Sequence, residues 1–285
     1  MVRVFGCLLV LLVSSGLQAQ TSASRSSTSS VVTRRPGFYP NAPRTAKPAI
    51  VSGNIAVVSA ASFLPGVSPG GLITIFGHDL SDVSGVVVAN TDPLPYVLAN
   101  VSVDINGVPA PIFSVAYNGS EDQISVQVPY RTETGPGAAL VEVFDYDQSV
   151  GSAQVDSYTE DPGVFMYQGS YAVALVYPDY SLIGPNNPAL AGDFIILYTT
   201  GLGPLSLDLQ DGYGAPSNPL ANTTDPFQVL VAGEACDVFF SGLAPGFAGL
   251  YQLNVRLPSD LPRGNLDIQI TSPYANSNTA TLPVF

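Results

Sequence analysis

Three segments of this 285-residue chain return, in the same order, later in the chain. Gln123-Ile-Ser-Val-Gln-Val-Pro129 matches Gln252-Leu-Asn-Val-Arg-Leu-Pro258, 129 positions on. Pro69-Gly-Gly-Leu-Ile-Thr-Ile-Phe-Gly77 matches Leu190-Ala-Gly-Asp-Phe-Ile-Ile-Leu-Tyr-Thr-Thr-Gly201, with closing glycines 124 apart. Between them, Val101-Ser-Val-Asp-Ile-Asn-Gly107 followed by Ala110 matches Phe227-Gln-Val-Leu-Val-Ala-Gly233 followed by Ala235. A preserved order with offsets that drift by a few residues predicts two copies of one unit. The copies span 51–161 and 162–285, and the boundary falls near Asp161-Pro162-Gly163.

Each copy reads as β-structure. Val101/Val103/Ile105, Ile124/Val126/Val128, Leu253/Val255/Leu257 and Leu266/Ile268/Ile270 alternate with mostly polar residues, as half-buried strands do. Leu72-Ile-Thr-Ile-Phe76 and Phe194-Ile-Ile-Leu-Tyr198 are short apolar runs suited to buried strands. Asn106-Gly107 marks a tight turn, because both residues tolerate positive φ. The 27 Gly and 25 Pro break long helices and fit short strands joined by turns. The expected fold is all-β: two tandem immunoglobulin-like β-sandwich domains after a signal peptide and a disordered linker. A single larger barrel is the alternative. Counting back in twos from Phe285 gives Pro283, Thr281, Thr279 and Ser277, which is no lipid-facing stripe of an outer-membrane strand.

Charge divides the chain. Residues 1–50 hold six positive residues and no acid, whereas residues 51–285 hold 22 acids against Arg131, Arg256 and Arg263, a net of −19. Such a body repels phosphate backbones, which argues against nucleic-acid binding. Residues 1–19 have a basic start, an apolar run from Phe5 to Val13 and a small-residue cleavage site at Leu17-Gln18-Ala19. That is the pattern of a secretory signal peptide, too short to span a bilayer. The expected location is therefore secreted or cell-surface, with no membrane-spanning segment. Residues 20–50, rich in Ser, Thr, Pro and Arg, predict a disordered linker whose five cations suit a solvated tether or a contact with anionic envelope polymers. After cleavage one cysteine is left, Cys236, in apolar surroundings that predict a buried, inert thiol and no internal disulfide.

Further motifs resemble a known family. They are Val58-Ser-Ala-Ala-Ser-Phe63, Pro69-Gly70, Ile75-Phe-Gly77, Val103-Asp-Ile-Asn-Gly-Val-Pro-Ala-Pro111 and Gln123-Ile-Ser-Val-Gln-Val-Pro129. Tyr198-Thr-Thr-Gly-Leu-Gly-Pro204, Gly242-Leu-Ala-Pro-Gly-Phe-Ala-Gly-Leu-Tyr-Gln-Leu-Asn-Val255 and Ser277-Asn-Thr-Ala-Thr-Leu282 follow in order. Nearly all of 54–285 resembles the C-terminal domain of Solibacter-type, acidobacterial exported proteins, a duplicated immunoglobulin-like, IPT/TIG-like module. The resemblance implies a fold and an extracellular setting, and no chemistry. Cys236 and His78 lie outside the family's common pattern.

Catalytic sets are scarce. His78 is the single histidine, so any Ser-His-Asp or Cys-His mechanism must use it. Gly66-Val-Ser-Pro-Gly70 has the spacing of a nucleophile elbow, but no helix pattern follows and Pro69 lacks the N–H an oxyanion hole needs. One His and one mature Cys do not make a zinc set. A carboxylate-dependent glycoside hydrolase would draw on acids such as Glu121, Glu133, Glu142 and Glu160, yet no pair stands out and the chain has no Trp for a sugar platform. No cofactor is expected. Calcium is the metal to weigh, with Asp145, Asp147, Asp208 and Asp211 as candidate ligands, although neither pair completes a calcium loop. Tyr167, Tyr171, Tyr177 and Tyr180 are candidates for a rigid contact surface. The expected function is a non-catalytic interaction or structural module for an envelope polymer, glycan or extracellular protein, the alternative being a carbohydrate-binding module, calcium-assisted or not.

Overall fold

In a computed structural model the chain is described over residues 52–285. The signal peptide and linker expected for residues 1–50 lie outside the described residues. No helix occurs among these, and several open, mostly antiparallel sheets make up the body. The framework of the first half is β1 (Ala56–Ser59), β2 (Leu72–Gly77), β3 (Val101–Ile105), β4 (Ile112–Tyr117), β5 (Asp122–Gln127), β6 (Gly135–Asp145) and β7 (Gln148–Ser157). That of the second is β8 (Ala174–Val176), β9 (Phe194–Thr200), β10 (Gln228–Val231), β11 (Asp237–Leu243), β12 (Tyr251–Arg256), β13 (Gly264–Thr271) and β14 (Ala280–Val284).

One sheet of the first half runs β1-β2-β5-β4 and the other β7-β6-β3. In the second half the orders are β8-β9-β12-β11 and β14-β13-β10. Adding seven to each label converts one half into the other. Both pairs follow the A-B-E-D and G-F-C strand orders of an immunoglobulin sandwich. The three recurring segments fall on corresponding strands: β2 and β9, β3 and β10, β5 and β12.

Alternation explains how each pair of sheets closes. Ile73 and Ile75, Ile124 and Val126 face Val101, Val103, Val141, Val143 and Val155 across the first core. Ile195, Leu197, Leu253 and Val255 face Val229, Val231, Ile268, Ile270 and Leu282 across the second. Each fully buried Val, Leu or Ile contributes about 1.5–3 kcal/mol relative to leaving it in water. Cys236 is buried in the second core, and burial followed by the neighbouring Asp237 pushes its thiol up to about 12, so it stays protonated. Tyr251 is also fully buried there and donates its hydroxyl to the Gly203 carbonyl at 2.8 Å.

The halves meet through buried chain. The connection after β7 keeps Glu160 and Asp161 at 4% and 3% exposure, unlike an exposed interdomain tether. Leu72 N–H donates to Thr200 Oγ1 at 2.8 Å, and the same hydroxyl donates to the Gly249 carbonyl at 3.0 Å. A loop of the second half reaches back: Gly212 N–H donates to Gln127 Oε1 and Gly214 N–H to Asp92 Oδ1. Ala61 and Leu72 of the first half pack in one apolar cluster with Phe165, Ile196, Tyr198 and Leu250 of the second.

Candidate functional site

The outer face of β8-β9-β12-β11 carries a cleft of about 660 Å³. Its origin is local. On β9, Ile195 and Leu197 point into the core, so period two turns Phe194, Ile196 and Tyr198 outward. On β12 the same rule sends Gln252 and Asn254 outward, opposite Tyr198 and Ile196. A register shift between Val238 and Phe240 on β11 inserts Phe239 as an extra residue, leaving it 64% exposed over the cleft. Beyond β8, Tyr177 and Tyr180 close the other side, 53% and 37% exposed.

The walls are ordered by ring contacts. Tyr177 and Tyr180 meet edge to face with centroids 5.8 Å apart, and Phe194 and Phe239 lie tilted at 5.4 Å. The Arg256 guanidinium sits 5.6 Å over the Phe194 ring. Polar groups are few. Gln252 donates to Asn254 Oδ1 at 3.2 Å, and Asp179 accepts from the Ser181 hydroxyl at 3.0 Å. Burial, reinforced by Tyr180, pushes the Tyr198 hydroxyl up to about 12, so it remains a neutral donor. Asp179 is the one carboxylate lining the cleft, which therefore offers flat apolar faces with a few amide and hydroxyl donors and no pair of acids.

The tyrosine candidates divide here. Tyr177 and Tyr180 line the cleft. Tyr167 is instead a core residue, 7% exposed, with its hydroxyl donating to the Ile183 carbonyl at 2.6 Å. Tyr171, half-buried, packs on Tyr167 at 5.8 Å. Sequence reading missed Phe194, Phe239, Gln252 and Asn254. A signal existed: in an unbroken apolar run such as 194–198, half the side chains must leave the core.

The acidic candidates stay apart. Asp145 ends β6 and Asp147 lies in the hairpin turn that follows, where Tyr146 and Asp147 take positive φ. Burial, then Asp82 and Asp122, raise the Asp145 carboxyl above its usual range. Asp208 makes an exposed 3.6 Å ion pair with Arg131. Asp211 accepts the Tyr130 N–H at 2.8 Å, a contact between the halves. Among the described residues no three Asp, Glu, His or Cys side chains come together to hold a metal ion.

The other candidates are also dispersed. Ser68 is 3% exposed beneath Gly71 and Gly201, whereas His78 is exposed beside Glu121. Glu133 is exposed and Glu142 lies on β6 opposite Asp104. Glu160 accepts a short hydrogen bond from the Ser272 hydroxyl, and Asp225 stands beside it. Its carboxyl is pushed up to about 7, first by burial, then by Asp225 against the opposing Ser272 bond.

Fold and cleft together describe an all-β protein of paired sheets with an open aromatic cleft. No family model matches the chain, and no curated protein matches it significantly. Among the described residues no helix is long and apolar enough to cross a membrane.

Proposed function

We propose that this protein is an exported, non-catalytic interaction module that works at the cell surface or outside the cell. It belongs, in this reading, with the Solibacter-type modules its motifs resemble. The aromatic cleft carries the proposal: Tyr177, Phe194 and Phe239 hold about half of their surface in solvent on a framework that buries almost every other large apolar side chain around it. Exposed apolar concavities edged by a few polar groups are recognition surfaces. The secretory pattern of residues 1–19 supports export, and the acidic body as a whole disfavours anionic partners.

The test is co-sedimentation of the mature chain, residues 20–285, with cell envelopes of the producing organism. Tyr177→Ala together with Phe239→Ala is expected to weaken binding at least tenfold. Equal retention of wild type and variant sinks the proposal.

A second reading, a carbohydrate-binding module, is favoured by the Gln252 and Asn254 amides beside the aromatic faces. Sugar rings would stack on Tyr177 and Phe239 while the amides bind hydroxyls. Calorimetry across a polysaccharide panel, with and without calcium, checks it; flat traces throughout remove it.

A further inference from the structure

The cleft and the chain segment that precedes the described residues are complementary in chemistry. Residues 31–50 read Val-Val-Thr-Arg-Arg-Pro-Gly-Phe-Tyr-Pro-Asn-Ala-Pro-Arg-Thr-Ala-Lys-Pro-Ala-Ile, with four prolines, four cations, two aromatics and no acid. Proline fixes φ near the value of the extended polyproline helix, so such a segment loses little entropy on docking. Grooves lined by aromatic rings are the surfaces that take it. The cleft has that lining in Tyr177, Tyr180, Phe194, Tyr198 and Phe239.

Charge gives the pairing a direction. The body holds 22 acids against three arginines, and the segment holds cations alone, which draws the two together. At the cleft, Arg256 lies over Phe194 at one end and Asp179 sits by Tyr180 at the other. Cations of the segment are therefore favoured toward Asp179.

Length permits contact within one chain. Ser52 is held by pairing with Gln154, and Tyr39 stands 13 positions before it. At about 3.1 Å per residue an extended segment covers about 40 Å. A body of about 230 residues has a radius of gyration near 17 Å, so this reach matches its dimensions.

We infer that the segment Arg34–Pro48 docks in the aromatic cleft of its own chain, with Phe38, Tyr39 and the prolines against the ring walls. The inference rests on the cleft being the recognition surface, and it names the class of partner: an extended, proline-rich, cationic segment. An external partner of that class competes with the segment for the cleft.

The experiment places a photo-crosslinking amino acid at Tyr39 in the mature chain, residues 20–285. After irradiation at low salt, the linked peptides are mapped by mass spectrometry. Crosslinks within one chain to residues 175–180, 194–198 or 239 are expected. They should fall at least tenfold with Tyr177→Ala and Phe239→Ala together, both exposed positions, and persist with Tyr117→Ala on the first half. Crosslinks elsewhere, no crosslinks, a crosslinked dimer, or indifference to the cleft substitutions overturns the inference. The two readings separate cleanly. Loss of envelope binding in the cleft variant with Tyr39 crosslinked elsewhere sinks the docking alone. Retained envelope binding with the crosslink in the cleft sinks the envelope-binding role alone.

Discussion

The same sheet appears twice in this molecule and meets two different fates. In the first half the outward pairs on β2 and β5 are Leu72 with Gln127, Thr74 with Ser125, and Phe76 with Gln123. The corresponding pairs on β9 and β12 are Phe194 with Arg256, Ile196 with Asn254, and Tyr198 with Gln252. The first set is covered: Thr74, Gln123 and Gln127 are at most 3% exposed, and the loop carrying Gly212 lies on Gln127. The second set is open only at one end: Phe194 is 44% exposed, whereas Ile196 and Tyr198 are buried against the first half. A sheet face that a neighbouring loop roofs becomes an internal joint; the end of the equivalent face that no loop roofs stays an open cleft.

The glycines that close the two apolar runs, Gly77 and Gly201, break the comparison most sharply. Gly77 has ordinary backbone geometry, and a Cβ there meets the Leu80 side chain at 2.8 Å. Gly201 holds φ of 75°, and a Cβ there runs into the Asp161 carbonyl oxygen. Gly201→Ala should cost about 3 kcal/mol or more, since both the backbone and the connection between halves must move. Gly77→Ala should cost about 1–2 kcal/mol, because a side chain can yield. Paired urea melts of the two variants read the difference, and equal costs would show that the connection is slack.

Next in size is Thr200→Val. It removes the acceptor of Leu72 N–H and the donor to Gly249 in a buried joint, which should cost about 1–3 kcal/mol. A null result in the same melts would mean that the apolar cluster alone holds the halves.

Glu160 sharpens the comparison through pH. Its folded pKa, about 7, is above the unfolded carboxylate range, so the folded chain binds the extra proton. Its contribution to stability is complete below about pH 4 and is lost as pH rises through about 7. Glu160→Gln, which mimics the protonated form, should flatten that slope and stabilise the protein by about 1–2 kcal/mol at pH 8. Thermal melts from pH 4 to pH 8 check it; an unchanged slope would place the titration elsewhere.

Smallest on stability is the cleft itself. Phe239→Ser should shift stability by less than about 0.5 kcal/mol, because the ring stands in solvent. A much larger loss in a thermal melt would make Phe239 a structural residue and weaken the case for a site.

Much of the framework was legible in the chain. Period-two runs such as Val101/Val103/Ile105 and Leu253/Val255/Leu257 carry their own burial pattern, since neighbouring strand residues must face opposite ways. The site was half legible. Tyr177 and Tyr180 could be named as candidates, but nothing local separates them from Tyr167, which spends its hydroxyl on Ile183 inside the core. Phe239 reaches the surface through a register shift, and register depends on the partner strand. Asp211 read as a calcium ligand because acids two or three apart suggest one; its carboxylate is instead occupied by a backbone N–H 81 residues away.

The sequence by itself determined the strand class, the recurrence of one segment order, the acidic body and the basic proline-rich segment, because each depends on composition or short-range periodicity. Only the tertiary structure decided which aromatic side chains stay in solvent. That outcome depends on the loop of one half covering a sheet of the other, a contact between residues far apart in the chain that local pattern does not encode.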